Sequence, residues 1–451
     1  SADRRYNSGM FSGEDIIFDL SSEVIKNMIE ALYYPQSPYL FNIIEPNMLG
    51  KIYEMFLTEQ LELLENNTIG LGKKKACQNR SVVTTPTEIV KYMVDKTLAK
   101  VCAGKTPSEI LNISIADIAC GSGIFLEEAF AFLQDYCVQW YIRNGQVNHL
   151  IETGVDLYKL PIQEKKAILC SCIYGIDIDT HAVEVAKFSL LIKLIEGETE
   201  PSVAEAVPIL PNLDDNIRFG NSLVSENELN GISDVDDQMI DIAPLNWDMI
   251  NNGSGFDAII GNPPYVNTEG MHMLLPSAEV DIYKKKYKTS YKQFDKYFIF
   301  IEQAINKINE NGLVCYIVPN KFFKVGAGEK LRGLIAREQM LVSLDDFGDA
   351  QLFEDKTIYS SIILLSKKKQ ATFVYCSVES TNKLWAGEEV SSIELNSSVL
   401  NKLPWRLTTD LEFLAMLQKL DEVSVPITKH AEIFNGIQTS AERLTPIYRF
   451  S

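Results

Sequence analysis

Hydrophobic positions change their spacing near residue 80. Over residues 21–66 they recur at helical intervals. Ile25, Met28, Ile29 and Leu32 share one face, with Ser21 or Ser22 placed to cap it. After a Pro35/Pro38 loop, Leu49, Ile52, Tyr53, Phe56, Leu57, Leu61 and Leu64 mark a second amphipathic helix. No residue here has an evident chemical role, so residues 1–78 read as an N-terminal helical structural or linker domain. Lys73, Lys74, Lys75 and Arg80 form a basic loop. A solvated loop is the plainer reading of it, a phosphate contact the sharper one.

From residue 81 short apolar runs alternate with amphipathic stretches, the rhythm of a parallel α/β sheet. Thr85-Pro86 leads into a helix from residue 87, whose proline and early Glu88 suit a first turn. Residues 113–118 predict a strand running into Ala119-Cys120-Gly121-Ser122-Gly123, a turn that lets a ligand approach backbone N–H groups. Leu126 stands where a dinucleotide fingerprint would have its third glycine. A long helical insertion is expected over residues 125–170. The next strand, residues 173–177, ends in acids: Asp177 suits ribose hydroxyls, and Asp179 suits the cap of the following helix. Residues 216–223 predict a third strand with Asn221 at its polar tip.

The strand over residues 256–260 ends at Gly261 and breaks into Asn262-Pro263-Pro264-Tyr265. Two prolines fix φ and remove two N–H donors, which leaves a rigid turn offering an amide oxygen, a backbone carbonyl and an aromatic ring. Such a turn beyond the carboxyl end of a central strand lies where open α/β sheets bind ligands, and it suits a planar group bearing NH2. A helix over residues 295–308 and strands over 312–319 and 362–365 complete the pattern. Phe353 is either an exposed ring or, as aromatics usually are, a core residue. After residue 370 the rhythm is lost. Leu411, Leu414, Leu417 and Leu420 still suggest a helix.

Composition narrows this picture. The 451 residues are 46% hydrophobic and 23% charged, as in a globular protein of two or three domains. No apolar run or leader pattern points to a membrane, and eight scattered cysteines with four histidines and no Cys-x-x-Cys argue against a zinc site. Free thiols in a cytoplasmic protein are the expectation. The net charge of −19 weighs against nucleic acid but does not forbid a local basic cleft. Tyr283-Lys284-Lys285-Lys286-Tyr287-Lys288-Thr289-Ser290-Tyr291-Lys292 interleaves base and aromatic, as a backbone-tracking groove would; a solvated helix face explains it equally. The chain opens at Ser1 and stops without a capping signal, which reads as a piece of a longer protein.

The order Thr85-Pro86, Asp117 to Gly123, Asp177, Asn221, Asn262-Pro263-Pro264-Tyr265 resembles the γ class of DNA adenine-N6 methyltransferases, over residues 80–370. The flanks resemble the methylase part of fused, type IIG or Eco57I-like restriction–modification proteins. The resemblance implies an α/β, Rossmann-like S-adenosylmethionine-dependent methyltransferase fold over residues 79–370. It implies that residues 371–451 are a linker and the start of a target recognition domain, with Gly436-Ile437-Gln438-Thr439 at its entry. Thr85, Asp117, Ala119, Gly121 and Gly123 would surround the methionine part of S-adenosylmethionine. Asp177 would hold the ribose, and Asn221 and Phe300 the cofactor adenine. Asn262 and Pro263, in the turn with Pro264, would take the target base, with Tyr265 and Phe353 stacking on it. Ile118 replaces a more usual proline, Asn221 a common aspartate, and Val83 and Thr84 the aromatics that many members carry.

The partners implied are double-stranded DNA, the recognition domain and a nuclease segment. Glu164-Lys165-Lys166 is a lone charged cluster without a metal-binding acid in context, so any cleavage belongs elsewhere. The same turn serves methylation of cytosine N4, a protein glutamine or an RNA base. Thr85-Pro86 upstream and the apparent recognition-domain start favour DNA. A non-catalytic cofactor- and DNA-binding module is the alternative of another kind, against which the intact Asn262-Pro263-Pro264-Tyr265 speaks.

Overall fold

The computed structural model describes residues 21–33, 36, 59–63, 69–73, 85–199, 209–229, 242–353, 358–385, 387–388, 390–425 and 427–431. The chain divides into two compact units, Ser1–Arg406 and Leu407–Ser451.

At the amino end, helix α1 (Ser22–Leu32) is capped by the Ser21 side chain, which accepts from the Val24 N–H. The second predicted helix is corrected in its last turn. Residues there form strand β1 (Glu59–Leu63), paired antiparallel with β2 (Ile69–Lys73) so that Leu61 faces Leu71. Leu61 and Leu63 stand two apart, a strand period. The rest of that helix, and Lys74, Lys75, Arg80, Val83 and Thr84, lie outside the described residues.

Helix α2 (Thr87–Val101) and strand β3 (Ile115–Asp117) open the α/β core. The expected helical insertion is helical only at its ends, α3 (Ile124–Arg143) and α4 (Ile162–Cys172). Between them β4 (Ile151–Gly154) and β5 (Leu157–Lys159) form a hairpin, where β-branched residues flank a Gly154-Val155-Asp156 turn with Asp156 at φ +56°. Strand β6 (Ile173–Asp177), helix α5 (Thr180–Ile195), β7 (Ile217–Phe219) and β8 (Phe256–Gly261) follow. Next come α6 (Thr268–Leu274), α7 (Ser277–Lys286), α8 (Lys296–Lys307) and β9 (Ile308–Pro319). Helix α9 (Glu329–Glu338) and strands β10 (Leu341–Gln351), β11 (Tyr359–Ser366), β12 (Thr372–Ser377) and β13 (Ser391–Asn396) complete the unit.

The sheet runs β13-β12-β10-β11-β9-β8-β3-β6-β7. Strands β7, β6, β3, β8 and β9 are parallel, and β11 is antiparallel to both β9 and β10. This is a Rossmann-like sheet that reverses its winding between β3 and β8, the point where such folds open a crevice at the strands' carboxyl ends. Ile115, Ala258, Ile260 and Cys315 pack with residues of α2, α3 and α5 in one core. Residues of opposite parity, such as Ile259 and Val314, are equally buried, so the sheet is covered on both faces. Strands β12 and β13 carry the sheet past residue 370, so residues 371–406 fall within the first compact unit. The irregular spacing there reflects an edge with one exposed face, where β13 buries none of its residues.

In the second unit α10 (Leu411–Val423) bears out the leucine periodicity, and the Asp410 side chain caps it by accepting from the N–H groups of Glu412 and Phe413. Gly436-Ile437-Gln438-Thr439 lies outside the described residues. The seven described cysteines are free thiols, and no described helix is long and apolar enough to cross a membrane.

Candidate active site

Strand β3 delivers Asp117, 2% exposed, to the crevice. Its Oδ1 accepts the Ala119 N–H at 3.0 Å, which bends the chain into the glycine turn. Gly121 (φ +53°) and Gly123 (φ +91°) take left-handed conformations that side-chain-bearing residues rarely adopt. A Cβ on Gly123 would also lie 3.0 Å from the Cβ of Ala186 in α5. The Gly121 N–H donates to Asp177 Oδ2 at 2.8 Å, and Asp179 N–H to Asp177 Oδ1 at 2.9 Å. Asp179 accepts from His181 N–H and caps α5, as expected of it.

Burial pushes the Asp117 carboxyl up to about 8, with the Asp177 charge adding and the Ala119 N–H opposing. Burial likewise raises Asp177. Two desolvated carboxyls therefore face one space and favour a cation in it.

Strand β8 brings Asn262-Pro263-Pro264-Tyr265 to the same edge, one strand over. Gly261 permits this close approach, since a Cβ there would fall 2.5 Å from Asp117 Oδ1. The Asn262 amide is held from both sides. Its Nδ2 donates to Thr85 Oγ1 at 3.0 Å, and its Oδ1 accepts from the Tyr265 hydroxyl at 2.5 Å. That hydroxyl also lies 2.8 Å from the Ile317 carbonyl of β9.

One cavity of about 260 Å³ connects these groups. The cradle residues Thr85, Asp117, Ala119, Gly121 and Asp177 line it, as do Asn221 and Phe300. Asn262, Pro263 and Pro264 close its other side. Gly123 is not on the wall and acts by starting α3.

Three expectations are corrected in detail. Phe353 is 2% exposed and belongs to the core with Phe347 and Leu352, so its ring is not open for stacking. Tyr265 is 9% exposed and meets Tyr297 edge-on at 5.8 Å, so in this arrangement it positions Asn262 and offers no face. The Asn221 amide is turned to α7: Nδ2 donates to Glu279 Oε1 at 3.0 Å, and Oδ1 accepts from Leu223 N–H at 3.0 Å. Its side chain is committed to that network, which the Tyr283 hydroxyl joins through Glu279.

Sequence reasoning missed Lys296, which also lines the cavity, its Nζ 4.0 Å from Glu279. Its spacing of four from Phe300 was the available signal, because residues four apart share a helix face.

A sulfonium cofactor fits these residues. Buried carboxyls suit its positive charge, the glycine turn admits it to backbone N–H groups, Asp177 suits a ribose, and the Phe300 ring suits a base. Residues 171–353 match the family described as Eco57I restriction-modification methylase. The type II restriction enzyme and methyltransferase RM.Eco57I of Escherichia coli is 41% identical over 448 residues, covering 98% of this chain and 44% of that protein. The type II methyltransferase M.BstVI of Geobacillus stearothermophilus is 26% identical over 259 residues, 57% of this chain and 37% of that one. This chain thus spans less than half the length of either relative. In fold it is similar to a nuclease-deletion mutant of the type ISP restriction-modification enzyme LlaGI in complex with a DNA substrate mimic. That likeness has a TM-score of 0.53 at 14% identity and covers 92% of this chain and 34% of the other.

Fold, cradle and relatives are those of the S-adenosylmethionine-dependent methyltransferase class. Within that class its similarity is to the Eco57I restriction-modification methylases, through the match over residues 171–353 and the alignment of nearly the whole chain with part of RM.Eco57I.

Proposed function

We propose that the full-length protein methylates adenine N6 at a specific site of double-stranded DNA, on a base flipped from the duplex, within a restriction–modification system of the cytoplasm. The observation that carries this reading is that the Asn262-Pro263-Pro264-Tyr265 turn and the Asp117/Gly121/Asp177 cradle open on one cavity. S-adenosylmethionine, when bound, supplies a methyl group on a sulfonium, open to in-line displacement.

The chain's own residues then act by placement and electrostatics. The N6 lone pair of adenine is delocalised into the ring. Asn262 Oδ1 and the Pro263 carbonyl, accepting the two N–H bonds, would favour a tetrahedral nitrogen whose lone pair is aimed at the cofactor side. An amide oxygen has two lone pairs, so the bond from Tyr265 does not by itself close Oδ1 to an incoming N–H. Thr85 fixes which way the amide faces, because its Oγ1 receives Nδ2. Drawing the base from the stack costs a few kcal/mol. Sequence choice is assigned to a recognition domain and cleavage to a nuclease segment, both in the part of the relatives' length that this chain does not span.

The test is to incubate the full-length protein with genomic DNA and labelled cofactor and to map the modified bases. N6-methyladenine at a recurrent sequence is expected. Label on cytosine N4 would overturn the choice of base, and cofactor binding without any transfer would leave only a binding module.

A further inference from the structure

One cationic cluster has no part in the site above. Residues 284–292 hold Lys284, Lys285, Lys286, Lys288 and Lys292 and no acid, in a chain of net charge −19. The structure sorts them. Tyr283 and Tyr287 turn inward, fully or nearly buried, so the interleaved rings do not form a stacking platform. Lys286 is engaged by Glu228 and the Leu223 carbonyl. Tyr291 remains half-exposed. The ammonium groups of Lys292 and Lys330 both lie over it, 5.0 and 5.3 Å from the ring centroid.

Two further observations mark this cluster. Lys292 adopts φ +54°, a region that residues with side chains rarely enter and that tends to persist at functional positions. Its Nζ also lies 3.8 Å from where a Cβ on Gly326 would stand, in the loop that carries Lys321 and Lys324. Among the described residues, exposed Lys292, Lys324 and Lys330 make no ion pair, although acids outnumber bases in the chain and neighbouring Glu329 pairs with Lys402. Like charges gathered on one ring repel unless an anion sits among them.

The cluster borders the turn that holds Asn262. Asn267 and Asp295 form a bridge, the Lys296 N–H donates to the Val266 carbonyl, and Thr268 Oγ1 donates to the Phe294 carbonyl at 2.7 Å. The segment after Tyr291 thus runs along the segment after Tyr265. Lys321, half-exposed, is fixed to buried Asp295 at 2.7 Å. Arg332, 1% exposed, donates to the carbonyls of Phe322, Val325 and Leu403 and so stiffens the lysine-bearing loop.

We propose that Lys292 and Lys330, gathered on Tyr291, with Lys324 in the adjoining loop and Lys321 nearer the turn, hold backbone phosphates of the DNA strand next to the nucleotide presented to Asn262. The assignment rests on the DNA reading above and adds where the strand is gripped. These contacts carry no sequence information; they fix register.

The full-length protein and its Lys292→Gln/Lys330→Gln variant should be titrated with duplex DNA, with and without the target sequence, across a range of salt. Each phosphate contact contributes about 0.9 to the slope of log affinity against log salt. The double variant should therefore bind both duplexes more weakly, with a slope shallower by about 1.8 for two contacts. Cofactor affinity should be unchanged, and Lys100→Gln, at the far end of α2, should match the wild type. An unchanged slope and affinity in the double variant overturns the proposal. Should the double variant lose cofactor binding, Lys330→Gln alone, an exposed position on α9, decides the matter through a slope change of about half that size. Wild type that binds DNA but transfers no methyl group defeats the methylation reading and leaves the salt slopes to judge the lysines.

Discussion

Asn262 is gripped at both ends of its amide, and that grip makes individual side chains testable. On the proposed reading, Asn262→Ala removes the acceptor for the target base and leaves the cofactor cradle in place. Methyl transfer should fall below detection while cofactor affinity, measured by calorimetry, stays within about twofold, far below the tenfold that 1.4 kcal/mol represents. Thr85→Val keeps the shape and deletes the oxygen that accepts from Nδ2, so kcat should drop by about tenfold to a hundredfold, the effect of about 1.4–2.7 kcal/mol from leaving that donor unpaired.

Asp117 gives a pH signature. Its carboxyl is raised from 3.8 to about 8, so between these values the folded protein holds a proton that the unfolded chain has released. Stability without cofactor should consequently fall as pH rises through that window and level off above it. A bound sulfonium favours the ionised form, so cofactor affinity should rise with pH up to about 8 and then flatten. Asp117→Asn should flatten both profiles. Constant affinity in the wild type from pH 6 to 9 would show that the cation does not meet this carboxyl.

At the scale of elements, the parallel strands and their turns were legible, because each is a short apolar run ending in glycine, acid or proline. The β4–β5 hairpin and the β1–β2 pair were not. Leu61 fits a helical repeat with Leu57 and Leu64 and a strand repeat with Leu63 alike, and the choice is made by partner strands that a linear pattern does not display. The orientations of Tyr265, Asn221 and Phe353 were not legible for a related cause: sequence gives the order of a motif but not which way a side chain turns. Close approach between elements was equally hidden. Gly261 lets β8 lie against Asp117, and a methyl group there would meet that carboxylate at 2.5 Å. Gly261→Ala should destabilise the protein by about 1–3 kcal/mol, as overpacking in a filled interior does. Cofactor binding should weaken with it. A denaturant midpoint equal to wild type would show that the strand yields more easily than its packing implies.

For the molecule as a whole, the distribution of charge limits what these residues can do with DNA. A net charge of −19 repels a polyanion, and the lysines around Tyr291 offset it only locally. This chain covers 44% of the Eco57I relative, and the proposal places target choice in the remainder. Residues 1–451 alone should therefore bind S-adenosylmethionine but associate with duplex DNA only non-specifically, at about 10⁻⁴–10⁻⁶ M near physiological salt. Duplexes with and without the methylated sequence of the full-length protein should compete equally, because phosphate contacts do not read bases. Discrimination of a hundredfold or more by these residues would mean that base readout lies within Ser1–Ser451. In that case loops at the carboxyl edge of the sheet, beside the Asn262 turn, would be the place to seek it, since an extruded base leaves its neighbours within reach of that edge alone.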